Sequence, residues 1–267
     1  MEEQLILQER VGRVARLTLN NPGKRNAMTY ALVNALISAL REVNGRNTTG
    51  TEADPEVRAV VIAGSGDNFS AGGDLKEFAD ELKLAAFQHW QAADPWIELF
   101  RLVPAMRVPV IAAVQGFALA GGCGLVALCD LAIAADDAQM GTSEINIGLF
   151  PMIVFPALRR AVGERNALEM ALTGRWFKAE EALRMGLVNR VVPRAELPDA
   201  AMALATDLAQ KAPSAITMGK RLFYATADMG YDEALEYARS IRVAYMLGDD
   251  VAEGVNAFLG KRKPNWG

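Results

Sequence analysis

The chain has 267 residues, 51% of them hydrophobic, with a formal net charge of −4 and a pI near 5.3. This length suits one large domain or a domain with an appendage, and the acidic balance argues against general nucleic-acid binding, which needs a basic field. No apolar run approaches a membrane span, and the acidic start lacks the basic residues and apolar core of a signal peptide. We therefore predict a cytoplasmic protein without a membrane or nucleic-acid partner.

Histidine and cysteine are scarce in this sequence. The single histidine is His89, and the two cysteines, Cys123 and Cys129, lie six residues apart in an apolar context. These residues leave almost no material for a multi-histidine zinc site or a Ser-His-Asp triad, and they favour buried reduced thiols over a disulfide. We predict no metal, and an acid–base group that is a carboxylate if the protein is an enzyme.

The first part of the chain predicts a hairpin followed by a helix. Two alternating segments, Leu5–Gln8 and Val14–Leu19, predict the hairpin strands, and the Asn-Pro-Gly turn at 21–23 opens a loop. Apolar residues at helical spacing predict a helix over 29–43. The polar stretch 45–54 predicts a surface loop.

A buried strand then runs into a glycine-bearing turn. The continuous apolar run Val57–Ala63 is typical of a strand covered on both faces, and GSGDNFSAGGDLKEF follows it. Within this turn, Gly72 and Gly73 precede Asp74, a residue suited to cap the start of a helix. Residues 78–103 are predicted to be helical.

The stretch GFALAGGCGLVALCD, residues 116–130, organises the rest of the chain. It follows the apolar strand Pro109–Val114 and carries four glycines in nine positions. Glycine costs entropy where it is fixed, so such a cluster at a strand-to-helix junction suggests a closely approached backbone. Since the first N–H groups of a helix are unpaired and lie at its positive end, we hypothesise that this loop stabilises an oxyanion.

Two other interpretations of this loop stay open. The glycines could allow tight packing of the helix on the strand. Gly122, Gly124 and Ala127 also fit the dinucleotide pattern G-x-G-x-x-A, although residues 115–121 separate them from the strand, unlike in a Rossmann unit. If the two glycine-bearing turns converge in space, two backbone N–H groups could point at one oxygen.

The order of the elements along the whole chain predicts an α/β core, residues 1–195, and a helical C-terminal region, residues 196–267. A strand over 131–135 and a loop over 140–151 that carries Glu144 come first, then helices over 155–162, 167–172 and 179–185, a strand over 188–192, and helices over 200–210, 214–226, 232–247 and 251–258. Helices without a sheet of their own must bury a face on the body or on another subunit, so we predict an oligomer. Asp74 and Asp130 are interpreted as structural.

Five motifs, in order along the chain, resemble the crotonase superfamily, the enoyl-CoA hydratase/isomerase family. They are NPGKRNA at 21–27, FSAGGDLK at 69–76, GFALAGGC at 116–123, SEINIGLFP at 143–151 and the KRKPNW end. No single motif is specific, but together they cover nearly the whole chain.

The resemblance implies an α/β fold built as a crotonase-like spiral of ββα units with a helical C-terminal trimerisation region. It implies that the N–H groups of Gly73 and Gly121 hold the thioester oxygen of an acyl-CoA and that Glu144 is the acid–base group. The residues implied to contact coenzyme A are Ala27, Ala71, Lys76, Phe258 and Lys261, the last two often across a subunit boundary. For Glu144 and the two lysines, a solvated surface position is the alternative. Coenzyme A belongs to the substrate, so no separate cofactor is implied, and the family forms trimers that often pair into hexamers.

One departure from the family pattern bears on the reaction. Hydratases of the family usually carry two glutamates, and Glu144 matches the second while the first falls at Gly124. We predict an enoyl-CoA hydratase of β-oxidation, because hydration is the more common activity in the family and a lone glutamate could still handle both water and proton in a concerted syn addition. The alternative is a 3-enoyl-CoA to 2-enoyl-CoA isomerase, for which one carboxylate suffices.

A non-catalytic binding protein on the same fold, such as an RNA-binding relative, is less favoured by the acidic composition. The segment LFPMIVFP lacks the glycines common there, which leaves the acyl pocket's shape open.

Overall fold

A computed structural model describes residues 4–45 and 56–266, so the loop predicted over 45–54 lies almost wholly outside the described residues. The strands are β1 (Ile6–Val11), β2 (Val14–Leu19), β3 (Ala59–Gly64), β4 (Val110–Val114), β5 (Phe117–Leu119), β6 (Leu131–Ala135), β7 (Gln139–Gly141), β8 (Phe177–Lys178) and β9 (Arg190–Val192). The helices are α1 (Tyr30–Asn44), α2 (Leu75–Glu81), α3 (Ala86–Ala92), α4 (Asp94–Leu102), α5 (Gly121–Leu128), α6 (Phe155–Thr173), α7 (Ala179–Met185), α8 (Leu197–Ala209), α9 (Pro213–Thr226), α10 (Tyr231–Met246) and α11 (Asp249–Leu259). The predicted hairpin, first helix and C-terminal helices are confirmed.

The structure differs from the sequence prediction in two helical regions. The single helical stretch predicted over 78–103 is divided into α2, α3 and α4, and Pro95 in the first turn of α4 favours a new helix start. The two helices predicted over 155–162 and 167–172 form one element, α6, bent at Gly163. Gly163 has a φ of 76°, a conformation that glycine adopts without steric cost.

The main sheet brings the two glycine-bearing turns to one edge. Its six strands lie in the order β1-β2-β3-β4-β6-β9, and all neighbours except the β1–β2 hairpin are parallel. Because β3 and β4 are parallel neighbours, the turns that follow them leave the sheet at the same edge. A second sheet, ordered β5-β7-β8, begins directly after β4.

The main sheet is covered on both faces, as its continuous apolar strands predict. Val60 and Ile62 point into a core shared with α1 and α5, whereas Val61 points to the opposite face. There α8 packs on β2, β3, β4 and β6 through small residues four apart, Ala201 and Ala205 among them. Thus α8 belongs to the predicted C-terminal region by sequence but packs on the predicted core, and the boundary at residue 195 stays a prediction.

Helices α9 to α11 contribute little to the buried core. Ala257 is their one buried residue within the described ranges, while large apolar side chains such as Phe223, Val243 and Leu247 are exposed. Among the helices that the structure describes, none is long and apolar enough to cross a membrane.

A buried polar cluster fastens α9 to the amino end of the main sheet. The carboxylate of Asp130 accepts hydrogen bonds from Val110 N (2.7 Å) and from the Tyr224 hydroxyl (2.7 Å), and it pairs with the ammonium group of Lys220. Burial lowers the pKa of Lys220, and the neighbouring carboxylate opposes that shift. The predicted structural role of Asp130 is confirmed.

Replacing Asp130 should therefore destabilise the protein. Asp130→Ala leaves the Lys220 charge buried without its partner, and we expect a loss of about 3 kcal/mol in the free energy of unfolding, measured in urea. Asp207→Ala is the matched control, because Asp207 pairs with Lys211 on the exposed surface, and it should cost less than about 1 kcal/mol. Equal losses for the two variants would contradict this account.

Candidate active site

The two glycine-bearing turns lie side by side, which is what the oxyanion hypothesis requires. Ser70 forms a parallel bridge with Ala118 of β5, in which Ser70 N donates to Phe117 O (2.8 Å) and Leu119 N donates to Ser70 O (2.9 Å). The turn after β3 is thereby hydrogen-bonded to the strand that leads into α5. The residues that follow Ser70, up to Gly73, therefore lie close to those that follow Ala118, up to Gly121.

Gly73 and Gly121 are brought together by this pairing. The Gly73 nitrogen lies 3.8 Å from the position that a Cβ on Gly121 would take. Gly121 is the first residue of α5, so its N–H has no partner within the helix. Within the described ranges, neither of these N–H groups donates to a protein acceptor. We call the two groups the amide pair.

Backbone strain lies next to the amide pair. Ala120 has a φ of 50° and a ψ of −122°, a conformation that costs a residue with a side chain on the order of 1–3 kcal/mol. Its N–H donates to Gly141 O at the end of β7 (2.8 Å). This link holds α5 against the segment that carries Glu144.

The glycines of the two turns fall into two groups. Some allow the two turns to pack closely, and the others carry the N–H groups of the amide pair. A Cβ on Gly72 would lie 2.6 Å from Leu119 O, and one on Gly122 would lie 2.7 Å from Ser70 O, so these two glycines allow the turns to pack. At Gly73 and Gly121 the nearest atoms are instead those of aromatic side chains. The packing interpretation is confirmed for Gly72 and Gly122, and the oxyanion hypothesis stays a prediction for Gly73 and Gly121. The dinucleotide interpretation loses support because Gly122 and Gly124 lie inside α5 and are covered by protein atoms.

Asn26 holds a third segment against these turns, and sequence reasoning assigned it no role. Its fully buried side chain accepts from Asn21 N (2.8 Å) and donates to Ser65 O (2.9 Å) and Asn68 O (2.8 Å). Its φ of 53° is one that asparagine tolerates better than most residues. The NPGKRNA motif was the available signal, because it includes this residue.

Three of the five predicted coenzyme A contacts lie near the amide pair. Ala71 N donates to Arg25 O (2.9 Å), and Met28 N donates to Gly72 O (2.8 Å), so the segments of Ala27 and Ala71 adjoin Gly72. Lys76 is exposed in the first turn of α2, which Asp74 caps by accepting from Lys76 N (2.8 Å) and Glu77 N (3.3 Å). The predicted capping role of Asp74 is confirmed.

The other two predicted contacts, Phe258 and Lys261, are not brought to the amide pair within one subunit. The C-terminal tail after α11 is held at the opposite end of the main sheet, where Arg58 Nη2 donates to Trp266 O (3.2 Å) and Trp266 Nε1 donates to Gln210 O (2.8 Å). Arg58 precedes β3, whereas Gly73 follows it. Phe258 is 83% exposed.

Glu144 lies beside the start of α5 rather than on an open surface. It begins a one-turn 3-10 helix, Glu144–Ile147, shortly after β7, which pairs with β5. Burial raises the pKa of the Cys123 thiol, the third residue of α5, to about 12, and the negative charge of Glu144 adds to that shift. Among the described residues, no group donates to the buried Oε2 of Glu144. Burial raises the pKa of Glu144 because water no longer stabilises its charge.

Gly124, where the family's first glutamate falls, has no space for a side chain. A Cβ there would lie 2.8 Å from both γ-methyl groups of Val154 and 3.0 Å from Cζ of Phe100. Val154 belongs to the segment LFPMIVFP, whose missing glycines left the shape of the acyl pocket open. At this point the structure gives the shape: the apolar side chains of Val154 and Phe100 fill the space where the family's first glutamate would lie.

The site therefore combines two N–H groups that lack a protein acceptor with a carboxyl group whose Oε2 is buried without a donor. Across the described residues, no cluster of three or more His, Cys, Asp or Glu side chains could hold a metal. Such a site can stabilise negative charge on one oxygen and move one proton at a neighbouring atom.

Comparison with known proteins agrees with this geometry. The family model described as "Enoyl-CoA hydratase/isomerase" matches residues 9–267. The chain belongs to the enoyl-CoA hydratase/isomerase family. It is 39% identical over 267 residues to a Mycobacterium tuberculosis protein named "Probable enoyl-CoA hydratase", covering 100% of this chain and 99% of that one.

Solved structures of this family share the fold. A crystal structure of enoyl-CoA hydratase from Mycobacterium smegmatis matches with a TM-score of 0.91 and 39% identity, covering 99% of both chains. Human enoyl-CoA hydratase domain-containing protein 3 matches with a TM-score of 0.89 and 33% identity, covering 98% of this chain and 100% of that chain. The predicted crotonase-like α/β fold is confirmed.

Burial of Glu144 should weaken the fold at neutral pH. The pKa of Glu144 is raised in the folded state, so ionising this carboxyl group costs more free energy there than in the unfolded chain. The resulting loss of stability grows as pH rises above the pKa that Glu144 has in the unfolded chain. Glu144→Gln should therefore be more stable to urea than the parent protein at pH 8, with a smaller difference at pH 4. Glu180→Gln, at an exposed first-turn position of α7, is the control and should show no such gain. A Glu144→Gln variant less stable than the parent at pH 8 would refute the argument.

Proposed function

We propose that the protein is an enoyl-CoA hydratase that adds water reversibly to 2-enoyl-CoA. The proposal rests on one observation: two N–H groups without protein acceptors approach each other from separate turns, and the segment hydrogen-bonded to one of those turns carries Glu144, whose Oε2 is buried without a donor. A proton next to a thioester carbonyl is only weakly acidic until the enolate oxygen is stabilised. Preformed backbone dipoles provide that stabilisation without reorganising during the reaction.

In the proposed reaction, Glu144 acts as base and then as acid. The ionised carboxylate takes a proton from water, the water oxygen bonds to C3, and the double-bond electrons move onto the thioester oxygen between Gly73 N–H and Gly121 N–H. Glu144 then returns the proton to C2 as the carbonyl re-forms. Water thus adds to one face of the double bond, and no further cofactor is required.

A second candidate, the 3-enoyl-CoA to 2-enoyl-CoA isomerase, is favoured by the apolar surroundings of Gly124. Val154 and Phe100 occupy the place where a second carboxylate would help to activate water. In the isomerase reaction Glu144 takes a proton from C2, the electrons pass to the same oxygen, and the proton returns to C4. This sequence needs one carboxylate and no water.

We also propose that the active assembly is a homotrimer or a dimer of trimers. The proposal is supported by the exposed apolar side chains of α9 to α11, Phe258 among them, and by the contact of the following C-terminal tail with Arg58, which precedes β3, whereas Gly73 follows that strand. In such an assembly these two residues would contact the coenzyme A bound to a neighbouring subunit. Ala27, Ala71 and Lys76 would contact it from the same subunit.

Purified protein offered 2-enoyl-CoA and 3-enoyl-CoA in parallel will separate the two reactions. We expect the protein to convert 2-enoyl-CoA to 3-hydroxyacyl-CoA. If the protein alone, with no second enzyme present, converts 3-enoyl-CoA to 2-enoyl-CoA, that result would establish the isomerase instead. Failure to turn over either substrate, combined with tight RNA affinity in filter binding, would favour the non-catalytic relative.

The same assays test Glu144 directly. Glu144→Gln should lower kcat by about 10²–10⁴-fold and leave acyl-CoA affinity nearly unchanged, since the carboxylate moves the proton rather than holding coenzyme A. Glu180→Gln should match the parent protein in both measurements. Undiminished turnover in Glu144→Gln would end the assignment.

The pH dependence should carry the signature of a buried base. Since only the ionised carboxylate accepts a proton, kcat/KM should fall as pH decreases through the pKa of Glu144. Burial raises that pKa, so the fall should begin above the ordinary glutamate range near 4.3. A rate that stays constant down to pH 4 would contradict the proposed role.

A further inference from the structure

Two aromatic side chains lie against the glycines of the amide pair. Cη2 and Cζ3 of Trp96 lie 2.7 and 2.9 Å from the Cβ position of Gly121, and Cε2 of Phe78 lies 3.2 Å from that of Gly73. The Gly73 nitrogen lies 3.8 Å from the same Gly121 position. The edge of the Trp96 ring is therefore beside the point where the amide pair would hold an oxygen.

The apolar contacts continue along α5 from this point. Trp96 and Phe100 are four residues apart on α4, so they lie on one side of that helix. Gly121 and Gly124 are three residues apart on α5, and Phe100 together with Val154 fills the space over Gly124. We call Trp96, Phe100 and Val154 the apolar wall.

An acyl chain bound for reaction must meet this wall. Its carbonyl oxygen would lie at the amide pair, and its reacting carbons must lie within reach of Glu144, which follows three residues after Gly141, the hydrogen-bond partner of Ala120 at the start of α5. The atoms of the wall stand so close to α5 that not even a methyl group fits at Gly121 or Gly124 without displacing them. An acyl chain that extends over the Gly121 end of α5 therefore meets the Trp96 ring.

We propose that Trp96 is a specificity-determining residue that closes the acyl pocket just beyond the reacting carbons and restricts the enzyme to short-chain acyl-CoA. This inference rests on the proposed function and names the substrate class of the same site. Trp96 is half-buried and packed against the core, so it cannot move aside without opening a void. A longer chain would have to displace it, and overpacking of this kind is costly.

Binding of saturated acyl-CoA tests the inference without requiring turnover. Calorimetry should show that the wild-type protein binds butyryl-CoA at least about 10-fold more tightly than decanoyl-CoA, since a closed apolar pocket discriminates about 10-fold or more per added methylene. Trp96→Ala should lower the ratio of butyryl-CoA affinity to decanoyl-CoA affinity by about 10-fold or more. Trp96→Phe should give an intermediate ratio. The ratio of kcat/KM values for the corresponding four-carbon and ten-carbon 2-enoyl-CoA substrates should change in the same direction.

Trp90→Ala is the matched control. Trp90 is the same residue type on the neighbouring helix α3 but is 76% exposed, so its removal should leave the chain-length ratio unchanged. Trp96→Phe keeps the test valid if Trp96→Ala fails to fold, because it preserves a ring against Gly121.

The outcomes separate this inference from the function on which it rests. A folded Trp96 variant that binds butyryl-CoA with the wild-type chain-length ratio overturns the inference and leaves the proposed function intact. So does a wild-type protein that prefers decanoyl-CoA. If the wild-type protein binds no acyl-CoA, the proposed function fails and the inference fails with it.

Discussion

The site depends on the short parallel pairing between the turn after β3 and β5. Ser70 is central to it, because its backbone exchanges hydrogen bonds with Phe117 and Leu119 while its buried hydroxyl donates to Asn26 O (2.8 Å) and accepts from Gly72 N (3.2 Å). One residue thus fastens three segments that are distant in sequence. The parallel sheet brings these segments to one edge, and the pairing fixes their register. With that register, the Gly73 nitrogen lies 3.8 Å from the position that a Cβ on Gly121 would take.

Two buried carboxylates show how differently the fold treats charge. Asp130 is surrounded by donors and an ammonium group, so its charge is compensated and it joins α9 to the sheet. Glu144 Oε2 is buried with no donor among the described residues, and burial alone dominates its raised pKa. An uncompensated group of this kind costs stability. Such a cost persists where a group must change protonation state, because partners that stabilised its charge would also weaken it as a base.

The absence of a second glutamate is coupled to a change elsewhere in the chain. Gly124 cannot carry a side chain while Val154 and Phe100 lie over it, and Val154 belongs to the segment LFPMIVFP, which lacks the glycines common in the family. The two departures noticed separately in the sequence are therefore one packing unit. Together with Trp96 they cover the Gly121 and Gly124 positions of α5 with apolar side chains.

The sequence by itself determined the element types, the fold and the chemistry to look for. Apolar strands ending in glycines, a lone carboxylate motif and scarce histidine are local properties, so they can be recognised before the chain is folded. Tertiary structure decided what depends on distance. It divided the glycines between packing and the amide pair, gave Asn26 and Ser70 their roles, and set Trp96 against Gly121 although 24 intervening residues separate them in sequence. It also placed Trp266 of the C-terminal tail beside Arg58, at the end of the sheet opposite to Gly73. No periodicity encodes such contacts, because they arise only when separate elements pack against one another.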